Sequence, residues 1–494
     1  MHYRIRSGCL AGAVFLAHLF LVSCQKEPGP EAPSILIFIA DDVSFNDIGA
    51  YGNRAVSTPN IDRLASHGIV FTRAFLTTSS CSPSRASILS GRYPHNTGAP
   101  ELHMPLPGSV ATIAGQLKEH HYFTGASGKW HLGPAARKDF DAVFDKGIGP
   151  GGEQRWVELV NQIPDGKPYF LWMASLDAHR GWGENPFEGS AKLEKAVLPP
   201  YVVPDSATVA DFGHYYDEIA RFDHYICQVL ERLKARDMLA NTLVLILSDN
   251  GRPFPRDKTR MYDSGIQTPL IAYWENGPIP EGTRSDALVS VIDLAPTISR
   301  LCGLLPLDSY QGIDFSDVLG NPEKAHRQYV FAEHNWHDYG AYERMVRTPD
   351  FLYIENRFPE SRMSSAADVH AGPAFQQLAL GFQNGTLTPL QGINFDAPNP
   401  ASELYAVQED PHQLNNLAGD SAWLDVARNL ARKLRDWQAM TGDTAPDHLT
   451  KGHYDFFTGQ SLFPDRAYDD IDRGEIPGAS GNAVSRVSKD EELQ

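Results

Sequence analysis

Cysteine is scarce in this chain: five in 494 residues, two of them, Cys9 and Cys24, within the first 24 positions. The other three, Cys81, Cys227 and Cys302, offer no disulfide framework, so stability has to come from a packed core. The 42% hydrophobic content and the length allow such a core and two or three domains. Basic charge is also in deficit. Lys and Arg number 43 against 61 Asp and Glu, for a formal net charge of -18. No basic run exists that would neutralise a row of phosphates, which argues against a nucleic-acid partner. A polyanionic substrate would therefore need a locally positive cleft inside an acidic shell. Internal repeats and low-complexity blocks are absent, which excludes solenoids and compositionally biased scaffolds.

What long apolar sequence there is sits at the N-terminus. "MHYRIRSGCLAGAVFLAHLFLVSC" has Arg4 and Arg6, an apolar stretch from Leu10 to Val22, then Ser23 and Cys24. It is too short and wrongly flanked for a comfortable membrane span and has the layout of a cleaved secretory signal. Its end, "LVSC", resembles a bacterial lipobox, with a plain signal peptide as the alternative. Residues 1–24 are thus expected to be a signal peptide with lipobox, Cys24 a lipidated N-terminus, and residues 25–33 a tether. The protein is expected to be exported and lipid-anchored in the bacterial cell envelope, at the periplasm or the cell surface, touching membrane only through its anchor.

The order of elements after the tether points to an α/β fold. "SILIFIA" (34–40), "PYFLWMASLDAH" (168–179), "TLVLILSDNG" (242–251) and "TPLIAYW" (268–274) are apolar runs suited to strands buried on both faces. "TPNIDRLASHG" (58–68) reads as a helix with a Thr cap, Pro near its start and Gly at its end. A long amphipathic helix is expected over 207–235, with Ile219, Phe222, Ile226, Val229, Leu230 and Leu233 on one face. Alternation of this kind predicts a large, mostly parallel sheet flanked by helices over residues 34–320. From 321 to 455 shorter strands ("QYVFAEH", "ERMVRTPDFLYIENRF", "SELYAVQED") and one helix (423–440) predict a smaller C-terminal α+β domain. Residues 456–494, rich in Asp, Gly, Pro and Ser, read as an irregular tail.

Ligands of open α/β sheets bind at the carboxyl ends of the strands. Those ends are polar here: Asp41 and Asp42, Lys129 and His131, Asp177 and His179, Asp249 and Asn250. Any one pair has an ordinary explanation as a cap or a turn. Together, Asp41, Asp42, Asp249 and the amide oxygen of Asn250 form an all-oxygen set for one hard cation, and Ca2+ suits it better than Zn2+. Arg85, Lys129 and Lys258 add the positive charge that a sulfate or phosphate requires. His131 and His179 exchange protons near neutral pH. The nucleophile is what this inventory lacks. Cys81, near a helix N-terminus and a cation, is a candidate thiolate, but that chemistry sits poorly beside a cation that favours oxygen.

The run "CSPSR", Cys81 to Arg85, followed by "SILSGRYPHNTG", resembles the signature of the type I sulfatases, and the resemblance extends over about residues 34–445. It implies an alkaline-phosphatase-like sulfatase fold and a sulfatase-maturing enzyme as partner, which oxidises Cys81 to formylglycine. The hydrated aldehyde then serves as an oxygen nucleophile and metal ligand, so that Asp41, Asp42, Cys81, Asp249 and Asn250 hold one Ca2+. Arg85 would stabilise the hydrated aldehyde, and Lys129 and Lys258 would hold sulfate oxygens. His179 would protonate the leaving group, and His131 would assist release of sulfate and regeneration of the aldehyde. Phosphatases of the same superfold typically use Ser or Thr on two transition metals; Asn250 stands where a second metal would favour His.

"SDNGRPFPRDKTRMY" (248–262) is similar to the N-sulfoglucosamine sulfohydrolases, or sulfamidases, as are "SLDAHRGW" and "SSCSPSRAS". Ala178, Gly181 and Lys258 depart from that group's pattern. Asp177 is expected to hold a sugar hydroxyl or the leaving nitrogen, Arg180 a second anionic group, and His334, His337 and Arg344 to reach the pocket from the smaller domain. Trp130, Trp182 and Trp336 are candidates for stacking on sugar faces. The resemblance implies a sulfated saccharide as substrate. Three readings follow: N-desulfation of glucosamine in heparan sulfate or heparin fragments, O-desulfation of another polysaccharide such as ulvan or carrageenan, and an inactive glycan-binding lipoprotein.

Overall fold

Alternating side chains of the apolar run Ser34–Ala40 (β1) face two different cores: Ile35, Ile37 and Ile39 one, Leu36, Phe38 and Ala40 the other. A strand so placed must be covered on both faces. The computed structural model describes residues 32–183, 185–187, 198–362, 364–465 and 471–478. The signal peptide with Cys24, tether residues 25–31 and the end of the tail lie outside the described residues. Among the described residues no helix is long and apolar enough to cross a membrane.

The following strands are β2 (Ile69–Phe71), β3 (Ala74–Phe75), β4 (Phe123–Gly128), β5 (Ala142–Phe144), β6 (Tyr169–Ala174), β7 (Thr242–Ser248), β8 (Leu270–Tyr273), β9 (Thr283–Ser285) and β10 (Val289–Ser290). Eight of them form one sheet in the order β5-β4-β6-β1-β7-β8-β2-β9. The first five run parallel, β8 pairs antiparallel to both β7 and β2, and β2 pairs parallel to β9. β3 and β10 make a separate parallel pair. The neighbours β4, β6, β1 and β7 therefore end at one edge, and each delivers polar residues there.

Helices cover both faces. Ser206–Ala235 buries Ile219, Phe222, Ile226, Val229, Leu230 and Leu233, and Asp205 caps it by accepting from Thr208 N at 2.8 Å. Leu294–Leu301 packs on the opposite face. Thr58 precedes the helix Pro59–Ser66 as expected, but its hydroxyl donates to Asp62 Oδ1 at 3.0 Å and makes no capping bond to the helix backbone.

Past Gly320 the chain enters a four-stranded antiparallel sheet of β11 (Val330–His334), β12 (Glu343–Arg347), β13 (Phe351–Asn356) and β14 (Ser402–Ala406), paired in that order. One face packs on the helix Leu424–Thr441 through Phe331, Val346, Leu434 and Trp437. The other shares a cluster with Phe75, Met261 and Ile266 from the N-terminal half. Helices Ala367–Ala371 and Pro373–Asn384, inserted between β13 and β14, were not anticipated from the sequence. The described tail has no regular element, but it packs closely: Arg473 pairs with Glu101 at 2.7 Å, and Ile471 lies against the cluster of Cys81, Leu102 and Trp336.

β4 ends on a glycine for a steric reason. Gly128 has φ +98°, and a Cβ there would stand 1.8 Å from the carbonyl oxygen of Ala174 on β6. This tight approach sets the direction in which Lys129 leaves the sheet. Gly128→Ala is expected to lower the unfolding free energy by about 2–3 kcal/mol, measured by urea denaturation; a change within about 0.5 kcal/mol would show that the backbone relaxes freely.

Candidate functional site

Four loops leaving the sheet edge converge on buried charge. β1 ends in Asp41 and Asp42, both 0% exposed, and Asp42 adopts φ 60°. Asp249, after β7, accepts from Asp42 N at 3.3 Å, and Asn250 Nδ2 donates to Asp42 Oδ1. Cys81 opens the wholly buried helix Cys81–Ser90, its Sγ 3.7 Å from Asp41 Oδ1. Ser80 occupies the N-cap position, but its hydroxyl is engaged by His337 Nδ1 at 2.7 Å. One helical turn on, Arg85 Nε donates to Asp249 Oδ2 at 2.7 Å and Nη1 to the carbonyl of Lys129 at 3.2 Å. Lys129 Nζ pairs with Asp41 Oδ2, and Lys258 Nζ with Asp42 Oδ2 at 2.8 Å.

Three carboxylates thus face three cations in a water-poor setting. Burial disfavours the charge on Asp41, yet Lys129, His179 and Arg85 outweigh it and hold this carboxyl well below the usual range. At Asp42 burial wins over Lys258 and the pKa is raised, and at Asp249 burial wins over Arg85 and raises it to about 6. Burial also disfavours both ammonium groups, but Asp41 beside Lys129, and Asp368 and Asp42 beside Lys258, keep them protonated. The Cys81 thiol is pushed up by burial and stays neutral.

The donor set fits a hard cation. Ligand atoms of Asp41, Asp42 and Cys81 lie within 4.8 Å of one another, and Asn250 Oδ1 is buried without a hydrogen-bond partner among the described residues. An orphaned amide oxygen among carboxylates is costly unless a cation takes it.

Beside this cluster opens a cavity of about 500 Å3, lined among others by His103, Lys129, His131, Asp177, His179 and Arg221. His179 Nδ1 donates to the carbonyl of Arg180 at 2.9 Å, and its side chain is 36% exposed. His131 Nε2 meets His103 Nδ1 at 2.7 Å, and His131 Nδ1 is buried without a hydrogen-bond partner among the described residues. Burial, with Lys129 next, pushes both imidazoles down, His103 to about 4.

Several expected pocket contacts need correction. Asp177 lines the cavity, but both its oxygens are taken by Arg221, which also binds Glu218. Arg180 is likewise committed, bidentate to Asp211 at 2.9 Å and to the carbonyl of Pro253, with its guanidinium over Trp182 and Phe254. A paired arginine is not a free anion binder. Arg344 is buried against Asp443 at 2.7 Å, and His334 against Glu343 at 3.0 Å; neither lines this cavity. His337 does come to the site, at Ser80. Trp336 is buried, and the partly buried Trp130 has Phe140 edge-on to it and the Arg137 guanidinium over its ring.

Two site residues escaped sequence reasoning. His103, in "ELHMPL", and Asp368, in the inserted helix, belong to no motif, and only the fold brings them to His131 and to Lys258. An isolated acid three residues before Ala371 carries no local signal beyond a helix start.

A sheet edge with this charge-balanced cluster, entered by a C-x-P-x-R helix, defines a sulfatase-class hydrolase. The sulfatase family matches residues 33–304, over half of the chain, and the protein belongs to that family. A second match, to the C-terminal region of N-sulphoglucosamine sulphohydrolase, covers 254–358. Human N-sulphoglucosamine sulphohydrolase is 30% identical over 482 residues, covering 87% of this chain and 94% of the relative. An ulvan-active sulfatase of Formosa agariphila is 28% identical over 488 residues, covering 87% and 81%. Among solved structures, a complex with the substrate D-glucosamine-2-N,6-O-disulfate superposes with TM-score 0.63 at 18% identity, covering 83% of this chain and 98% of the other. The phosphonate monoester hydrolase of Agrobacterium radiobacter reaches 0.61 at 19%, covering 82% and 95%, so the fold serves more than one chemistry.

The cavity wall generates its own prediction. Glu153, Asp177 and Glu218 surround Arg221; burial, with Asp177 beside it, raises Glu218 to about 9 and Glu153 well above its usual value. Arg221→Met is expected to cost about 3 kcal/mol in urea denaturation, because Asp177 loses the cation that holds both its oxygens in a buried setting; an unchanged midpoint would contradict this.

Proposed function

We propose that the enzyme hydrolyses the N-sulfate of glucosamine units in heparan sulfate or heparin fragments. One observation carries this reading. The match to the C-terminal region of N-sulphoglucosamine sulphohydrolase opens at residue 254, in the loop that brings Lys258 to Asp42. The human relative with that activity, aligned over most of both chains, supports it further. O-desulfation of another polysaccharide is the second reading, supported by the ulvan-active relative. The full complement of charged groups around Cys81 disfavours an inactive binding protein.

In this proposal a sulfatase-maturing enzyme converts Cys81 to formylglycine; a thiol held neutral by burial suits a precursor better than a nucleophile. The hydrated aldehyde would supply an oxygen nucleophile, and its second hydroxyl would allow sulfate to leave. Asp41, Asp42, Asp249 and Asn250, with residue 81, would hold one Ca2+, and such an ion would supply stabilisation of negative charge. Arg85 Nη2, 3.9 Å from Asp41 Oδ1 and without a hydrogen-bond partner among the described residues, is a spare donor for the nucleophile's oxygen. Lys129 and Lys258 hold sulfate oxygens. His179, with Nδ1 fixed on the Arg180 carbonyl, offers Nε2 to the leaving nitrogen. His131, backed by His103, handles the proton that accompanies sulfate release. Export and the lipid anchor at Cys24 rest on the sequence of residues 1–24 alone.

Mass spectrometry of protein made with a maturing enzyme is expected to show aldehyde at position 81 and an acylated Cys24 at the mature N-terminus; persistent thiol at 81, or a non-acylated start, counts against the corresponding assignment. Sulfate release is expected from N-sulfoglucosamine, abolished by Cys81→Ala and by EGTA, and restored after EGTA by Ca2+. Release from O-sulfated oligosaccharides alone would replace the first reading with the second.

A further inference from the structure

Asp368 comes from the inserted helix Ala367–Ala371, far in sequence from every motif of the site, yet its Oδ2 meets two groups of the reaction centre. Lys258 Nζ donates to it at 2.9 Å, and His179 Nε2 stands 3.6 Å from it. Oδ1 accepts from Val369 N at 3.0 Å, so the carboxylate cannot turn freely. The helix is itself tied down. Asp338 Oδ2 accepts from Ala367 N at 2.9 Å, and Asp211, the partner of Arg180, accepts from Ala374 N at 3.1 Å. His179 and Asp368 are thus braced against each other through Arg180, Asp211 and the start of the next helix.

The imidazole of His179 has one nitrogen fixed, Nδ1 on a carbonyl, and is 36% exposed, so its plane would be free to swing without a second restraint. We infer that Asp368 is a positioning residue for protonation of the leaving group: one oxygen draws Nε2 of His179 and Nζ of Lys258 to a common point, so that proton donor and sulfate-holding cation face the same bond. This rests on the roles proposed above for His179 and Lys258. When the bond from sulfur to the bridging nitrogen or oxygen breaks, the bridging atom keeps the electron pair and takes the proton from Nε2. Lys258 lies between Asp42 and Asp368 and keeps a third ammonium donor for the sulfate.

The test separates positioning from mere charge balance by varying the leaving group. A sulfated sugar, N-sulfoglucosamine or an O-sulfated sugar that the enzyme turns over, has a poor leaving group that needs a proton; 4-nitrophenyl sulfate releases a phenolate that does not. Asp368→Asn is expected to lower kcat on the sugar by on the order of 10- to 100-fold more than it lowers turnover of 4-nitrophenyl sulfate, the loss common to both substrates being the share that passes through Lys258. Asp368→Glu should recover part of the loss, and thermal melting should confirm that both variants fold. His179→Ala is the control for the parent assignment. If it reduces both substrates equally, the role of His179 fails and the inference with it. If it is selective for the sugar but Asp368→Asn is not, the positioning role alone is overturned.

Discussion

Everything at the centre of this protein depends on compensation of charge that cannot be hydrated. Asp41, Asp42 and Asp249 stand at 0% exposure at the ends of two central strands, where an unpaired carboxylate would cost several kcal/mol. Each acquires a cation from a different element: Arg85 from a helix, Lys129 from the end of β4, Lys258 from the loop after β7. The parallel order β4-β6-β1-β7 is what lets those elements meet. An added divalent cation would tip a balanced cluster to net positive charge, the local inversion that an acidic protein needs in order to hold a sulfated substrate.

The division of labour between the two sheets follows from this. The large sheet and its helices carry the residues of the charge cluster, and changes there would affect the reaction as a whole. The small sheet and its insertions contribute from outside the cluster. His337 occupies the hydroxyl of Ser80 at the start of the Cys81 helix, and Asp368 joins Lys258 to the vicinity of His179. Buried pairs such as Arg344 with Asp443 and Arg180 with Asp211 use charge for architecture, and Arg180, although it lines the cavity, is thereby committed.

The apolar runs of β1, β6 and β7 were legible because strands buried on both faces must be continuously apolar, and the polar residues that follow them were legible because such strands can end only where the chain reaches solvent or a site. The long helix 206–235 was legible from its period. The inserted helices around residues 367–384 were not, since short helices bury too little to leave a clear pattern. The tail, polar in composition, read as an extension, whereas Arg473 and Ile471 fasten it near residue 81 through contacts that span more than 350 residues of sequence.

For the cavity the sequence supplied candidates without partners. Asp177, Arg180, His334 and Arg344 are the kinds of residue that bind sugars and anions, and nothing local distinguishes a free arginine from one locked to an aspartate. By itself the sequence determined the class of fold, the cluster of strand-end charges and the C-x-P-x-R start of the central helix, because these are local patterns fixed by burial and spacing. Only the tertiary structure decided which charges are spent on one another and that His103 and Asp368 stand at the site. Pairing is a property of distances between remote segments, and no local pattern encodes it.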